Sequence, residues 1–195
     1  MFLVIEGIDG SGKSTQVQLL EQRLKKRGKT VLILDFPRYN EESSYFVREY
    51  LSGKYGTDLS PENTSLFFAM DRFAASFELR KDFEKYEYII ANRYTTSSMI
   101  YSGCKIKDIQ ERKIFLDWLE NLEYEICRIP KPDKIFFLSL SFENNLKLIH
   151  KRAYEEGTTE LDLHERDREY MRQAWETAHD MVHEKNWDII ECEKD

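Results

Sequence analysis

Residues 2–16 constrain this chain more than any other stretch. Phe2 to Glu6 (FLVIE) is an apolar run closed by one acid, the pattern of a strand buried on both faces. Gly7 to Gly12 is a glycine-rich turn, and Lys13, Ser14 and Thr15 then open a helix. Gly7, Gly12, Lys13 and Ser14 stand in register with G-x-x-x-x-G-K-[ST], with the required strand before and helix after. Glycine lets successive backbone N–H groups curl onto phosphate oxygens without a Cβ in the way. The helix N-terminus adds unpaired N–H groups and a partial positive charge. Lys13 brings a full charge to the terminal phosphates, and the Ser14 hydroxyl is a magnesium ligand. The segment predicts a nucleoside-triphosphate site built from Gly7, Ile8, Asp9, Gly10, Ser11, Gly12, Lys13, Ser14 and Thr15.

The rest of the chain alternates strands and helices. Further strands are expected at 30–34, 88–91, 134–140 and 187–190, with amphipathic helices between them. That alternation predicts an α/β protein of the P-loop, three-layer kind: a parallel sheet of about five strands with helices on both faces. A length of 195 residues suits one domain spanning 1–195. Residues 153–164 are polar, aperiodic and contain Gly157, Thr158 and Thr159, so a short lid is expected there.

Charge and composition narrow the partners. A formal net charge of −7 argues against a protein that coats nucleic acid or an anionic membrane. No apolar run reaches transmembrane length, and Met1 leads straight into a strand, so neither a membrane span nor a cleavable leader is expected. Cys104, Cys127 and Cys192 fit neither a disulfide framework nor a zinc pattern, which predicts a cytoplasmic protein with reduced thiols. His179 and His183 are four apart on a helix without a third ligand, and are expected to be solvated.

Other candidate residues sit at strand ends, where open α/β sheets bind ligands. Phe36, Pro37, Arg38 and Tyr39 follow the second strand; Asn92, Arg93 and Tyr94 follow the third. Ser60-Pro61 starts a long helix whose core face is expected to be Leu66, Phe67, Met70, Phe73, Ala74 and Phe77. Phe68 and Arg72 fall off that face at i and i+4, a spacing that fits a base-stacking platform and a solvated pair equally well. A helix is expected over 108–127, broken by Pro130 and Pro132.

Taken together these motifs resemble the thymidylate (dTMP) kinase family of nucleoside-monophosphate kinases. The resemblance rests on IEGIDGSGKST, FPRY at 36–39, FFAMDR at 67–72, NRYTTSS with Tyr101 beyond it, and DLHERD at 162–167, all in the family's order. It implies magnesium- and ATP-dependent phosphorylation of dTMP to dTDP, and a homodimer. It further implies that Lys13 bridges donor and acceptor, and that Asp9 approaches the acceptor phosphate and its metal shell. Arg38, Tyr39 and Arg93 would hold the dTMP phosphate beside Phe36 and Ser97. Phe68 would stack on thymine while Arg72 bonds its carbonyl edge. Ser98 would face the base, and Tyr101 would crowd C2′ of the sugar. Arg152 would stabilise the transferring group, and Glu165 would join Ser14 and Asp9 near the metal.

The chain departs from the pattern in three places. Asn92 stands where the family usually has an aspartate, and Glu155, Glu156, Glu160 and Asp162 make the lid acidic. The family's terminal helix has no counterpart after the fifth strand. The alternatives left by the sequence are another deoxynucleoside-monophosphate or deoxynucleoside kinase, or a nucleotide-binding homologue weak in transfer.

Overall fold

The computed structural model describes residues 1–56, 58–155 and 167–193. Five strands form one parallel sheet: β1 (Phe2–Glu6), β2 (Val31–Asp35), β3 (Tyr88–Asn92), β4 (Lys134–Ser139) and β5 (Asp188–Glu191), in the order β2-β3-β1-β4-β5. β1 is central, with Val4 opposite Ala91 on one side and Ile135 on the other. The chain leaves β1 through α1 (Lys13–Lys26) and passes over β3 to reach β2. That reversal opens a crevice at the carboxyl ends of β1 and β3.

The strand period explains the layers. Leu3 and Ile5 of β1 face Val17, Leu20 and Leu24 of α1, while Phe2 and Val4 face Ala75 and Leu79 of α3 (Pro61–Asp82) on the other side. Residues 2–5 of β1 are at most 6 % exposed, so the strand needs apolar residues at every position rather than at alternate ones. A third cluster packs α4 (Thr95–Tyr101), α5 (Ile109–Glu120), α6 (Phe142–Glu155) and α7 (Arg168–Glu184) around Phe137, Leu116 and Met171. α2 (Tyr45–Leu51) lies against α3. As expected, the Ser60 hydroxyl caps α3, accepting from the Asn63 N–H.

Three local expectations are corrected. The expected core face of α3 is split: Leu66, Met70 and Phe77 are 40, 56 and 54 % exposed, Phe67, Phe73 and Ala74 are half-buried with Phe73 packed against the core, and Ala69, Asp71, Arg72, Ala75, Ser76 and Leu79 are buried. Small residues let the helix lie close to its neighbours, and the buried ions are tolerated because each has a partner of opposite charge. A hydrophobic period cannot register either cause. The helix expected over 108–127 is α-helical only to Glu120 and continues as a π-helical turn, Asn121–Ile126, which carries Glu123 into the interior. His179 is packed rather than solvated, with its ring 4.0 Å from Trp175 and edge-on to Phe137. Of the expected lid, residues 153–155 form the end of α6 and 156–164 lie outside the described residues.

Candidate active site

A cavity of about 1020 Å³ occupies the crevice. Its floor is the glycine turn between β1 and α1. Gly10 adopts φ +81° and Gly7 φ +155°, and a Cβ on Gly10 would come within 2.4 Å of the Asn145 carbonyl oxygen. This turn therefore requires glycine for both conformation and space. Asn145, at the first turns of α6 and 1 % exposed, donates from Nδ2 to the Asp9 carbonyl at 3.1 Å and ties the loop to that helix.

Lys13 lies on the floor. Its Nζ donates to the carbonyls of Gly7 at 2.8 Å and Ile8 at 3.0 Å, folded back onto its own loop. Burial, reinforced by the Arg93 charge, brings the ammonium pKa down to about 7. Phosphate oxygens at the loop N–H groups would offer the same ammonium a charged acceptor.

Arg93 stands above it, after β3, with φ 66°, a conformation that non-glycine residues adopt at a cost of roughly 1–2 kcal/mol and that clusters at functional sites. Its guanidinium pairs with Asp9, donates to Ser97 Oγ at 3.3 Å, and lies 3.7 Å from Glu6 and over the Tyr101 ring. Burial alone would lower its pKa, but Asp9, Tyr101 and Glu6 outweigh that and raise it. Glu6 is fully buried, accepting from Thr96 Oγ1, Ser97 Oγ and the Gly7 N–H. Tyr101 donates to Asp9 Oδ2 at 2.8 Å, and its own pKa is pushed up by burial and by that carboxylate.

The far wall is Phe68, Arg72, Ser98 and Tyr50. Arg72 is 2 % exposed, bidentate to Glu123, with Nη2 also donating to Ser98 Oγ at 2.9 Å. The helical spacing of Phe68 and Arg72 is thus a cavity wall and not a solvated pair.

Asp9, Gly10, Gly12, Lys13, Ser14, Thr15, Phe36, Tyr39, Phe68, Arg72, Arg93, Ser97, Ser98, Tyr101 and Arg152 all line the cavity. Gly7, Ile8 and Ser11 form the body of the loop beneath it. Arg38 is turned away from the lining: Nε donates to Asp71 Oδ1 at 3.1 Å and Nη2 to Ser43 Oγ at 2.9 Å. Glu165 lies outside the described residues. Arg152 sits seven residues beyond Asn145, two turns along one face of α6, and lines the cavity near enough for its charge to help lower the Lys13 pKa.

The cavity thus joins a triphosphate cradle to a slot walled by an aromatic ring and a donor. The family model for thymidylate kinase matches residues 5–194. The chain belongs to the thymidylate kinase family. It is a phosphotransferase, and its reaction is the phosphorylation of dTMP. Among the relatives, the thymidylate kinase of Mycobacterium tuberculosis is 30 % identical over 177 residues, covering 89 % of this chain and 82 % of its own. The probable thymidylate kinase of Thermococcus onnurineus is 34 % identical over 168 residues, covering 83 and 76 %, and the human thymidylate kinase 25 % over 197 residues, covering 98 and 82 %. The solved thymidylate kinase of Candida albicans superposes with a TM-score of 0.72 at 23 % identity, over 97 % of this chain and 82 % of its own, and shares the fold.

Three supporting residues of this thymidylate-kinase fold have no role in the sequence analysis: Glu6, Glu123 and Asn145. Asp71 falls inside FFAMDR, but its pairing with Arg38 is not visible there. Among the three, a local signal exists for Glu6, an acid ending a buried strand.

Proposed function

We propose that the chain transfers the γ-phosphoryl group of ATP, held as its magnesium complex, to the phosphate of dTMP, giving ADP and dTDP. The observation that carries this reading is that one cavity joins the phosphate loop with Lys13, through Arg93, to the Phe68–Arg72 wall. Phosphoryl transfer asks little covalent chemistry of a protein; it asks for two phosphates held in line and their charge neutralised.

The loop N–H groups and Lys13 hold the donor phosphates. Arg93, released from Asp9 and Ser97 as a phosphate arrives, holds the acceptor phosphate, and Arg38 joins it by turning from Asp71. Phe68 supplies the stacking face for the base, and Arg72 an N–H donor for its carbonyl edge. The Tyr101 ring fills the space beside the sugar, and Arg152 acts on the migrating group.

The donors around Ser14 suit a hard cation: a hydroxyl, the Asp9 and Asp35 carboxylates and the Asn92 amide line this part of the cavity, with no thiol or imidazole among its lining residues. Ser14 and the neighbouring carboxylates would hold magnesium there, which would supply positive charge to the phosphates. Glu165 is proposed as a further acid near it, and residues 153–164 as a lid.

The exposed stripe Leu66, Met70 and Phe77 on α3 supports a homodimer through that face, which Met70→Glu in a light-scattering measurement would test. The three free cysteines and the net negative charge support a cytoplasmic location and no nucleic-acid partner. The reading is tested by ADP formation with dTMP, dUMP, dGMP and thymidine side by side. Turnover with dTMP is expected to exceed the others, and preferred turnover with thymidine would move the chain to nucleoside phosphorylation.

A further inference from the structure

The ends of β2 and β3 hold a pair that lines the cation end of the cavity and whose separate tasks there are not assigned above. Asp35 lies directly opposite Asn92 in the parallel register. Both side chains leave the sheet on the face of Ile33 and Ile90, the face covered by α1, and so approach the start of that helix. Asn92 Nδ2 donates to Asp35 Oδ1 at 2.7 Å and to Ser14 Oγ at 3.2 Å. The amide is oriented by the acid, because the reverse orientation would set two oxygens against each other. Asn92 Oδ1 points the other way, buried and without a hydrogen-bond partner among the described residues. Hydroxyl, amide and carboxylate therefore stand in a row along the phosphate end of the cavity.

In P-loop proteins the loop hydroxyl shares its magnesium with an aspartate from the strand system. Position 92, beside Ser14, carries an uncharged amide instead. The acid bonded to that amide is Asp35, one strand further out, exposed into the same cavity. A carboxylate facing a polyphosphate repels it unless a cation lies between them. Ser14 Oγ spends one lone pair on Asn92 and keeps the other. From these positions we infer that Asp35 supplies the acid of the magnesium shell, and that Asn92 is the positioning residue holding it toward Ser14. The charge has shifted by one strand rather than disappeared. Magnesium keeps several of its waters, so a carboxylate at this remove acts by accepting from them. The inference rests on the nucleotide-kinase reading and deepens it.

The test uses Mn²⁺ as the paramagnetic stand-in, with its affinity read by EPR in the presence of a non-hydrolysable ATP analogue, so that no turnover is needed. Asp35 is exposed, and thermal melts will verify that Asp35→Asn folds as the parent does. Asp35→Asn is expected to weaken Mn²⁺ binding by about tenfold or more, as loss of an outer-shell partner does. Asp35→Asn combined with Asn92→Asp keeps the carboxylate–amide pair but returns the acid to β3, and is expected to restore most of that affinity. Unchanged Mn²⁺ affinity in Asp35→Asn overturns the inference while leaving the kinase reading intact. An unsubstituted protein that binds no Mn²⁺ with the analogue overturns the kinase reading itself, and with it the inference.

Discussion

Glu123 grips Arg72 through two parallel hydrogen bonds, Nε to Oε2 at 2.6 Å and Nη2 to Oε1 at 2.5 Å, with side chains 1 and 2 % exposed. Thr95 Oγ1 donates to the same carboxylate at 2.9 Å. The π-helical turn places Glu123, and Glu123 fixes the guanidinium edge that meets the cavity. Removing one member of a buried pair strands the other charge in a medium that cannot solvate it.

Glu123→Ala is therefore expected to cost about 3–5 kcal/mol of stability in urea unfolding. Glu123→Gln keeps the shape and one acceptor, so it should cost less in stability while still raising the KM for dTMP. Equal stability of parent and Glu123→Ala would show that the pair does not hold this wall together.

Lys13 links nucleotide binding to protons. Its pKa of about 7 in the unliganded protein, caused first by burial and then by Arg93, leaves it mostly neutral at pH 8. Triphosphate oxygens favour the ammonium, so ATP binding should take up close to one proton at pH 8 and much less at pH 6. Calorimetry in two buffers of different ionisation heat measures this directly. The linkage sign for stability follows: the folded pKa lies below the unfolded value of 10.5, so this group costs stability at low pH and the cost fades as pH rises from about 7 toward 10.5. Lys13→Ala should abolish both transfer and proton uptake.

In the proposed reaction Phe68 and Tyr101 are expected to divide the recognition of the nucleoside. Phe68→Ala should raise the KM for dTMP by roughly tenfold to a hundredfold, since base–aromatic stacking is worth about 1–3 kcal/mol. Tyr101 has a second task, because its hydroxyl donates to Asp9. Tyr101→Phe should lower kcat, by the loss of a bond to a charged group worth about 1.5–3 kcal/mol, yet still discriminate against the ribonucleotide. Tyr101→Ala should lose both. Steady-state kinetics with dTMP and its ribose counterpart separate the two effects.

α6 transmits position between the loop and the cation above it. Arg152→Ala should lower kcat by about a hundredfold or more with little change in dTMP affinity, as expected for a charge that acts in the transition state. Arg168 begins α7 outside the lining of the cavity, so Arg168→Ala should leave kcat near the parent value. The reverse pattern would move the transition-state charge across the lid.

Much of this site is legible in the sequence because its chemistry is local. A phosphate cradle needs glycines and a lysine at fixed offsets, and strand-end arginines announce themselves by position. The buried partners are not legible in the same way. The sequence leaves Arg72 open between a base-site residue and a solvated one, and its buried partner Glu123 lies fifty-one residues away. Leu66, Met70 and Phe77 read as core because hydrophobicity and helical period cannot tell an interior face from an apolar exterior one. Arg38 was expected at a phosphate and is held by Asp71, a contact set by the packing of α3 against the end of β2.

Phosphorus NMR of the unsubstituted protein with ATP, Mg²⁺ and dTMP tests phosphoryl transfer between the two nucleotides directly. The dTMP resonance is expected to decay as the two resonances of a diphosphate ester grow, with ADP appearing in equal amount and no inorganic phosphate. ATP conversion to ADP and free phosphate, or unchanged dTMP beside tightly bound nucleotide, would contradict it.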